Sequence, residues 1–213
     1  DDVGRAVAKA IRQSGTLPES VAVEKLGLFH IQAADRSARL RLPACATIVT
    51  GSAQGFGRGI AEELAQEGAR IVVADLNVPL GEAFTAELNA RHGKDTAIFV
   101  ETNVTEAASI ETCANACVAA FGGIDLFVSN AGVLRAGGLD ELDEASFDLV
   151  TRTNYTAYFL CVRTVAAIMK RQHAVNPAHV MDIIQINSKS GLEGSNRNFA
   201  YAGGKFGGIA LTQ

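Results

Sequence analysis

From residue 44 onward, short β-branched runs alternate with longer stretches in which apolar residues recur every three or four positions. The runs Ala46–Thr50, Ile71–Asp75, Thr96–Val100, Ile124–Val128 and His179–Ile186 predict five strands. Between the first two, Ile60, Ala61, Leu64 and Ala65 predict a helix from Gly57 to Gly68. A second helix is opened by Pro79, carries Leu80, Phe84 and Leu88 on one face, and has Gly93 just past its end. Ile110, Cys113, Ala114, Cys117, Val118 and Phe121 form one apolar stripe, a continuous helical pattern follows from Phe147 to Gln172, and a last one starts near Ala200. Strands apolar on both faces and separated by helices imply a parallel sheet covered on both sides, an α/β doubly wound parallel sheet. One strand is wanting from the six usual in this architecture.

Residues 1–43 do not follow the alternation. Arg5 to Gln13 reads as helical, Thr16-Leu17-Pro18 breaks it, and Arg36 to Arg41 is basic and turn-like, so 1–43 is expected to be a separate N-terminal extension and 44–213 the domain. The first residue is not Met and the last helical pattern is barely three turns old at Leu211-Thr212-Gln213. Both ends are expected to be cut, the domain lacking its C-terminal part.

Composition adds exclusions. With 213 residues, 48% of them hydrophobic, the chain suits one large domain or one domain with an appendage. Nineteen Lys and Arg against 23 Asp and Glu give a net charge of -4, which leaves no electrostatic footprint for nucleic acid or an anionic membrane. No uninterrupted apolar run reaches a membrane span, and Asp1-Asp2-Val3-Gly4-Arg5 does not open a signal peptide, so a cytoplasmic location is expected. Cys113 and Cys117 have the spacing of a metal pair, but they lie on the apolar stripe and read better as buried thiols, like Cys45 and Cys161. The four histidines show no ligand spacing. No metal is expected.

The first strand runs into Thr50-Gly51-Ser52-Ala53-Gln54-Gly55-Phe56-Gly57. A strand-to-helix turn that cradles a pyrophosphate needs glycines for positive φ and close backbone approach, and the helix N-terminus supplies free N–H groups. A glycine-rich turn without a ligand is the alternative. Asp75 ends the second strand, 20 residues after Gly55, where a carboxylate can accept from both ribose hydroxyls of NAD and repel a 2′-phosphate. Near the other end, Tyr201 and Lys205 stand at i and i+4, one helix face bearing a phenol and an ammonium. A cation nearby favours the phenolate, so the pair can do acid–base work, although the spacing alone is common.

In order and spacing these fragments resemble the short-chain dehydrogenase/reductase family. Its elements occur in turn: the Gly51/Gly55/Gly57 turn, Asp75, Asn103-Val104 after the third strand, Ser129-Asn130-Ala131-Gly132 after the fourth, Asn154 in the long helix, Ser188-Lys189-Ser190-Gly191 after the fifth, and Tyr201 with Lys205. Ser188 lies 13 residues before Tyr201, as the family's serine does. The likeness covers Ala44 to Gln213 and departs from the family where Ser129 replaces the first Asn of Asn-Asn-Ala-Gly.

The resemblance implies a Rossmann fold, NAD as cofactor, a small-molecule substrate and, at full length, a homo-oligomer. Gly51, Ser52, Gln54, Gly55, Phe56, Gly57, Asp75, Asn103, Val104, Asn130, Ala131 and Gly132 would bind the cofactor together with Tyr201 and Lys205. Tyr201 would be the general acid/base, Lys205 would favour its phenolate, Ser188 would donate to the same substrate oxygen, and Asn154 would hold a water that passes the proton to solvent. Gln185-Ile186-Asn187-Ser188-Lys189-Ser190-Gly191, with Asn154-Tyr155 and Lys205-Phe206-Gly207-Gly208, is similar to dehydrogenases of sugar-alcohol phosphates. That implies a phosphorylated polyol, with Lys189 and Arg197 as candidate phosphate ligands or as ordinary solvated charges. Another polyol, a hydroxy acid or a secondary alcohol is the first rival, and a silent nucleotide-binding module the second. Val21-Ala22-Val23-Glu24 and Leu26-Gly27-Leu28-Phe29 resemble the end of a class II aldolase/adducin-like domain, which would make the chain the middle of a longer bifunctional protein.

Overall fold

The computed structural model describes residues 20–23, 27–30 and 42–213. The expected helix at Arg5–Gln13, the break at Thr16-Leu17-Pro18 and the basic stretch Arg36–Arg41 lie outside the described residues. Within the extension, β1 (Ser20–Val23) and β2 (Gly27–His30) pair antiparallel, Ser20 opposite His30.

The domain is a five-stranded parallel sheet. In chain order it runs β3 (Ala46–Thr50), α1 (Gly55–Gln66), β4 (Arg70–Asp75), α2 (Val78–His92), β5 (Ala97–Glu101), α3 (Ala107–Phe121) and β6 (Leu126–Ser129). Then come α4 (Glu144–Thr151), a wide π turn at Arg152–Thr156, α5 (Ala157–Val175), β7 (Asp182–Gln185) and α6 (Phe199–Thr212). The strand order is β5-β4-β3-β6-β7. The chain therefore builds outward from β3 in one direction and, after α3, resumes on the other side with β6. The place where the order reverses, between the carboxyl ends of β3 and β6, is where an open α/β sheet leaves a crevice for ligands.

Alternation along the strands sorts the core into two layers. Ala46, Ile48, Val72 and Ala74 face α3 and α5 with Ile110, Cys113, Cys117, Cys161 and Val165, whereas Val49, Ile71 and Val73 face α1 and α2 with Ala61, Ala65, Phe84 and Leu88. β3 is buried throughout and β4 from Ile71 to Ala74, which explains why both read as continuous apolar runs rather than alternating ones. Burial also pushes the Cys113 thiol up to about 11 and the Cys117 thiol higher still, as suits protonated core residues.

Three expectations change. The helix read as continuous from Phe147 to Gln172 is two helices joined by the π turn, with the Ala157 N–H reaching back to the Arg152 carbonyl. Hydrophobic periodicity cannot show one extra residue in a turn whose dihedrals stay near the helical region. Leu80 and Val118, placed on apolar faces, are exposed. The strand expected from His179 starts only at Asp182, because His179 turns to pair with the buried Asp125 carboxylate at 2.7 Å.

Candidate active site

The glycine turn after β3 is shaped by two different demands. Gly55 has φ of +59°, a conformation costly for any residue with a Cβ. Gly57 lies in α1 against the turn, where a Cβ would overlap the Gly51 carbonyl oxygen and Asn130 Nδ2. Side chains complete the turn. Asn130 Nδ2 donates to the Thr50 and Gly51 carbonyls at 2.9 and 3.1 Å, tying the end of β6 to that of β3. Asp75 accepts the Ala53 N–H through Oδ2 and the Asn77 N–H through Oδ1, both at 2.9 Å. No side chain caps the start of α1 and no acidic residue sits in its first turn, so its free N–H groups and dipole favour an anion.

On the other side of the crevice, α6 presents Tyr201 and Lys205. Lys205 is 7% exposed; its Nζ donates to the Ile186 carbonyl at 2.6 Å and stands 5.5 Å from the centre of the Tyr201 ring. Burial holds this ammonium below the ordinary lysine range. Ser188 caps a short 3-10 turn at Lys189–Gly191 by accepting the Ser190 N–H at 3.2 Å, which leaves its own O–H proton to give away. Asn154, 4% exposed in the π turn, pairs with Val133 in both directions: Oδ1 accepts the Val133 N–H and Nδ2 donates to the Val133 carbonyl, each at 2.8 Å.

Most of these groups border one cleft of about 670 Å³. Of the residues expected to form the site, Gly51, Gln54, Phe56, Asp75, Val104, Asn130, Ala131, Gly132, Ser188, Tyr201 and Lys205 line it. Others are engaged elsewhere. Ser52, expected at the cofactor, is buried with Oγ donating to Val49 and accepting from Ala74, so it fastens the turn to β4 instead of facing the cleft. Asn103 directs its side chain to Thr105 and Glu106 at the start of α3. Gly55 and Gly57 shape the turn without lining the cleft. Asn154 spends its amide on Val133, so its direct effect is to fix the loop that forms the cleft wall. Arg197 is ion-paired with Glu141 at 2.9 Å, and Lys189 is exposed; neither lines the cleft.

Leu76, Thr102, Val133, Leu134 and Thr153 line the cleft without having been singled out, and Ile186 and Asn187, noted only as part of a distinguishing run, line it too. Thr102 and Ile186 follow strand ends, a position that already marks crevice residues in this architecture. Val133, Leu134 and Thr153 come from a loop and the π turn, for which the sequence carries no comparable signal.

Residues 46–213 match the family described as short chain dehydrogenase. The chain belongs to that family. It is 34% identical over 166 residues to sorbitol-6-phosphate 2-dehydrogenase of Escherichia coli K12, covering 78% of this chain and 62% of that enzyme. The crystal structure of sorbitol-6-phosphate 2-dehydrogenase SrlD from Erwinia amylovora superposes with a TM-score of 0.73 at 38% identity, over 78% of this chain and 63% of that one. A short chain dehydrogenase/reductase from Burkholderia phymatum in complex with NAD superposes with a TM-score of 0.76 at 28% identity, over 82% of this chain and 59% of that one. The chain thus spans less than two thirds of the length of these relatives. Among the described residues no helix is long and apolar enough to cross a membrane.

Proposed function

We propose that this protein is an NAD-dependent dehydrogenase that interconverts a secondary alcohol and a ketone on a phosphorylated polyol, sorbitol 6-phosphate and fructose 6-phosphate being the substrate pair. The observation that carries the reading is the shared cleft. Asp75 and the glycine turn stand on one side, and Tyr201, Lys205 and Ser188 on the other.

The residues fit a dinucleotide. The uncapped start of α1 and the Gly51–Gly55 turn suit its pyrophosphate, and the Asp75 carboxylate suits unmodified ribose hydroxyls and disfavours a 2′-phosphate. Gln54, Phe56 and Leu76 would bound the rest of the adenosine side, and Asn130, Ala131 and Val104 the floor. When bound, the nicotinamide supplies a hydride acceptor or donor.

Proton handling falls to the chain itself. The Tyr201 phenolate oxygen takes the proton from the substrate hydroxyl during oxidation, and the resulting phenol returns it during reduction. The Lys205 ammonium, 5.5 Å from the centre of the Tyr201 ring, places a positive charge beside the residue that carries the negative charge when it acts as base. The Ile186 carbonyl fixes that ammonium by accepting one of its three protons. Ser188 donates its hydroxyl proton to the same substrate oxygen, steadying the charge that develops there.

The intact protein assayed with NAD+ and NADP+, on sorbitol 6-phosphate and on sorbitol, tests the reading. The expected result is fastest turnover with NAD+ and the phosphorylated polyol. Preference for NADP+ refutes the role of Asp75, and equal rates on both polyols leave a general polyol dehydrogenase. Nucleotide binding without turnover of any alcohol points to the silent binding module.

A further inference from the structure

Lys205 is held at both ends. Its ammonium donates to the Ile186 carbonyl, and its main-chain carbonyl accepts a hydrogen bond of 3.1 Å from Asn187 Nδ2. The same Asn187 amide donates to Gln185 Oε1 at 2.9 Å, while Asn187 Oδ1 accepts the Ser188 N–H at 2.8 Å. One side chain, placed immediately before Ser188, thereby joins the end of β7 to the turn of α6 that carries the ammonium. Both of its amide protons are taken within the protein, so although Asn187 lines the cleft it has no donor left for a substrate.

The surrounding backbone is shaped to this arrangement. A Cβ on Gly191 would overlap Asn187 Oδ1 and sit 3.1 Å from the Lys205 carbonyl oxygen. A Cβ on Gly208 would overlap the Gln185 side chain. The two amides therefore occupy space that only glycine at these positions leaves open. This gives the run Gln185-Ile186-Asn187-Ser188 a physical reason that does not involve phosphate: its polar side chains are braces between a strand end and a helix.

We infer that Asn187, backed by Gln185, is a positioning residue that sets the register of Ser188 against the Tyr201–Lys205 face of α6. The inference rests on the acid–base reading of Tyr201, Lys205 and Ser188 given above. The amide length matters. A serine at 187 cannot span from the strand end to the Lys205 carbonyl while also reaching Gln185, and an apolar residue would leave that carbonyl and the Ser188 N–H to recruit water into the seam.

The experiment compares the intact protein with its Asn187→Ala, Gln185→Met, Gln185→Glu and Tyr201→Phe variants. Each is assayed with NAD+ on whichever of sorbitol 6-phosphate and sorbitol it turns over faster. Melting temperature and the pH profile of kcat are recorded alongside. Asn187→Ala is expected to lower kcat at least tenfold and to move the acid limb of its profile to higher pH, because a displaced ammonium supports the phenolate less. Gln185→Met keeps the volume but removes the acceptor for Asn187, so it should move both quantities the same way by a factor of two to four in kcat. Gln185→Glu retains an acceptor and should restore the wild-type profile. If Asn187→Ala is too unstable to assay, the Gln185 pair decides alone. A fall in melting temperature with kcat and pH profile unchanged in Asn187→Ala, or in Gln185→Met where that pair decides, reduces the amides to a structural role and overturns the inference. Tyr201→Phe separates the two levels. If it abolishes turnover while the amide variants are silent, only the positioning role fails; if it remains active, the acid–base reading fails and takes the inference with it.

Discussion

Asn154 and Val133 are joined by a pair of 2.8 Å hydrogen bonds, the amide of one standing in for a strand neighbour of the other. The pair fixes the loop after β6 to the π turn, and both Val133 and the adjacent Thr153 line the cleft. Replacing Asn154 by Ala leaves the Val133 N–H and carbonyl without these partners at a half-buried position beside the cleft. Two such losses cost about 1–3 kcal/mol together, since a hydrogen bond contributes about 0.5–1.5 kcal/mol net and water can partly replace it here. A drop in melting temperature of roughly 2–12 °C is expected for a domain of this size. Calorimetry checks it, and a shift under about 2 °C would show that the pair contributes little.

Glycines near the turn should respond in opposite directions. Gly57→Ala forces a Cβ into the Gly51 carbonyl and Asn130 Nδ2, so helix and turn must separate and nucleotide binding should be lost along with several degrees of melting temperature. Gly59, one helical residue pair further along, faces open space. Gly59→Ala should stabilise the protein by about 0.4–1 kcal/mol, through the lower entropy of the unfolded chain and the better helix propensity of Ala. Parallel denaturation curves with and without NADH distinguish the two. Equal behaviour of the variants would mean that close approach, not backbone freedom, has been misjudged at Gly57.

The buried ammonium of Lys205 separates activity from stability at alkaline pH. Its folded pKa is depressed by desolvation, so on raising the pH the folded protein loses this proton before the unfolded chain does. In the window between the lowered value and the ordinary value of about 10.4, the unfolded state binds more protons, and this group makes stability rise with pH. Turnover should go the other way, because the neutral amine no longer favours the Tyr201 phenolate. The expected signature is an alkaline limb in kcat that begins below the ordinary lysine range and is not accompanied by unfolding through this group. Lys205→Arg keeps its charge to above about pH 12. Its limb should therefore move upward even though its kcat is lower, and a limb at the wild-type position would assign the titration to another group.

The sheet and most of the cleft were legible in the sequence for one reason. Inner strands buried on both faces write themselves as continuous apolar runs, and the crevice at their carboxyl ends follows from strand order, so Gly51 and Asp75 are placed by position in the alternating pattern, whereas Tyr201 is marked by its spacing to Lys205 and Ser188 only by the family resemblance. What escaped the reading is decided by side-chain partners across the fold. Ser52 and Asn103 occupy turns next to the cofactor side, but a hydroxyl claimed by Val49 and an amide claimed by Thr105 and Glu106 become visible only once β4 and α3 are in place. The π turn escaped for a related reason. Its extra residue serves the Asn154–Val133 contact, which joins positions 21 apart in sequence, while the apolar spacing on either side remains helical.

Lys189 and Arg197 now make opposite predictions about a substrate phosphate. Arg197 is committed to Glu141, and its carbonyl accepts the Gly137 N–H, so it links the loop after β6 to the segment before α6. Both partners of that ion pair are exposed, which limits its worth to about 0.2–1 kcal/mol. Arg197→Ala should therefore leave KM for sorbitol 6-phosphate within about twofold. Lys189 directly follows Ser188 at the end of β7 and is exposed, with no ion pair recorded for its ammonium among the described residues. If the substrate's phosphate reaches this end of the cleft, a charge-assisted hydrogen bond from Lys189 is worth about 1.5–3 kcal/mol, and Lys189→Ala should raise KM for sorbitol 6-phosphate by about tenfold or more. Sorbitol itself, lacking the phosphate, should hardly change. Steady-state kinetics of both variants on both polyols decides the matter. A tenfold effect at Arg197 with none at Lys189 would place the phosphate on the α6 side of the cleft, and no effect at either would remove these two cations from substrate recognition.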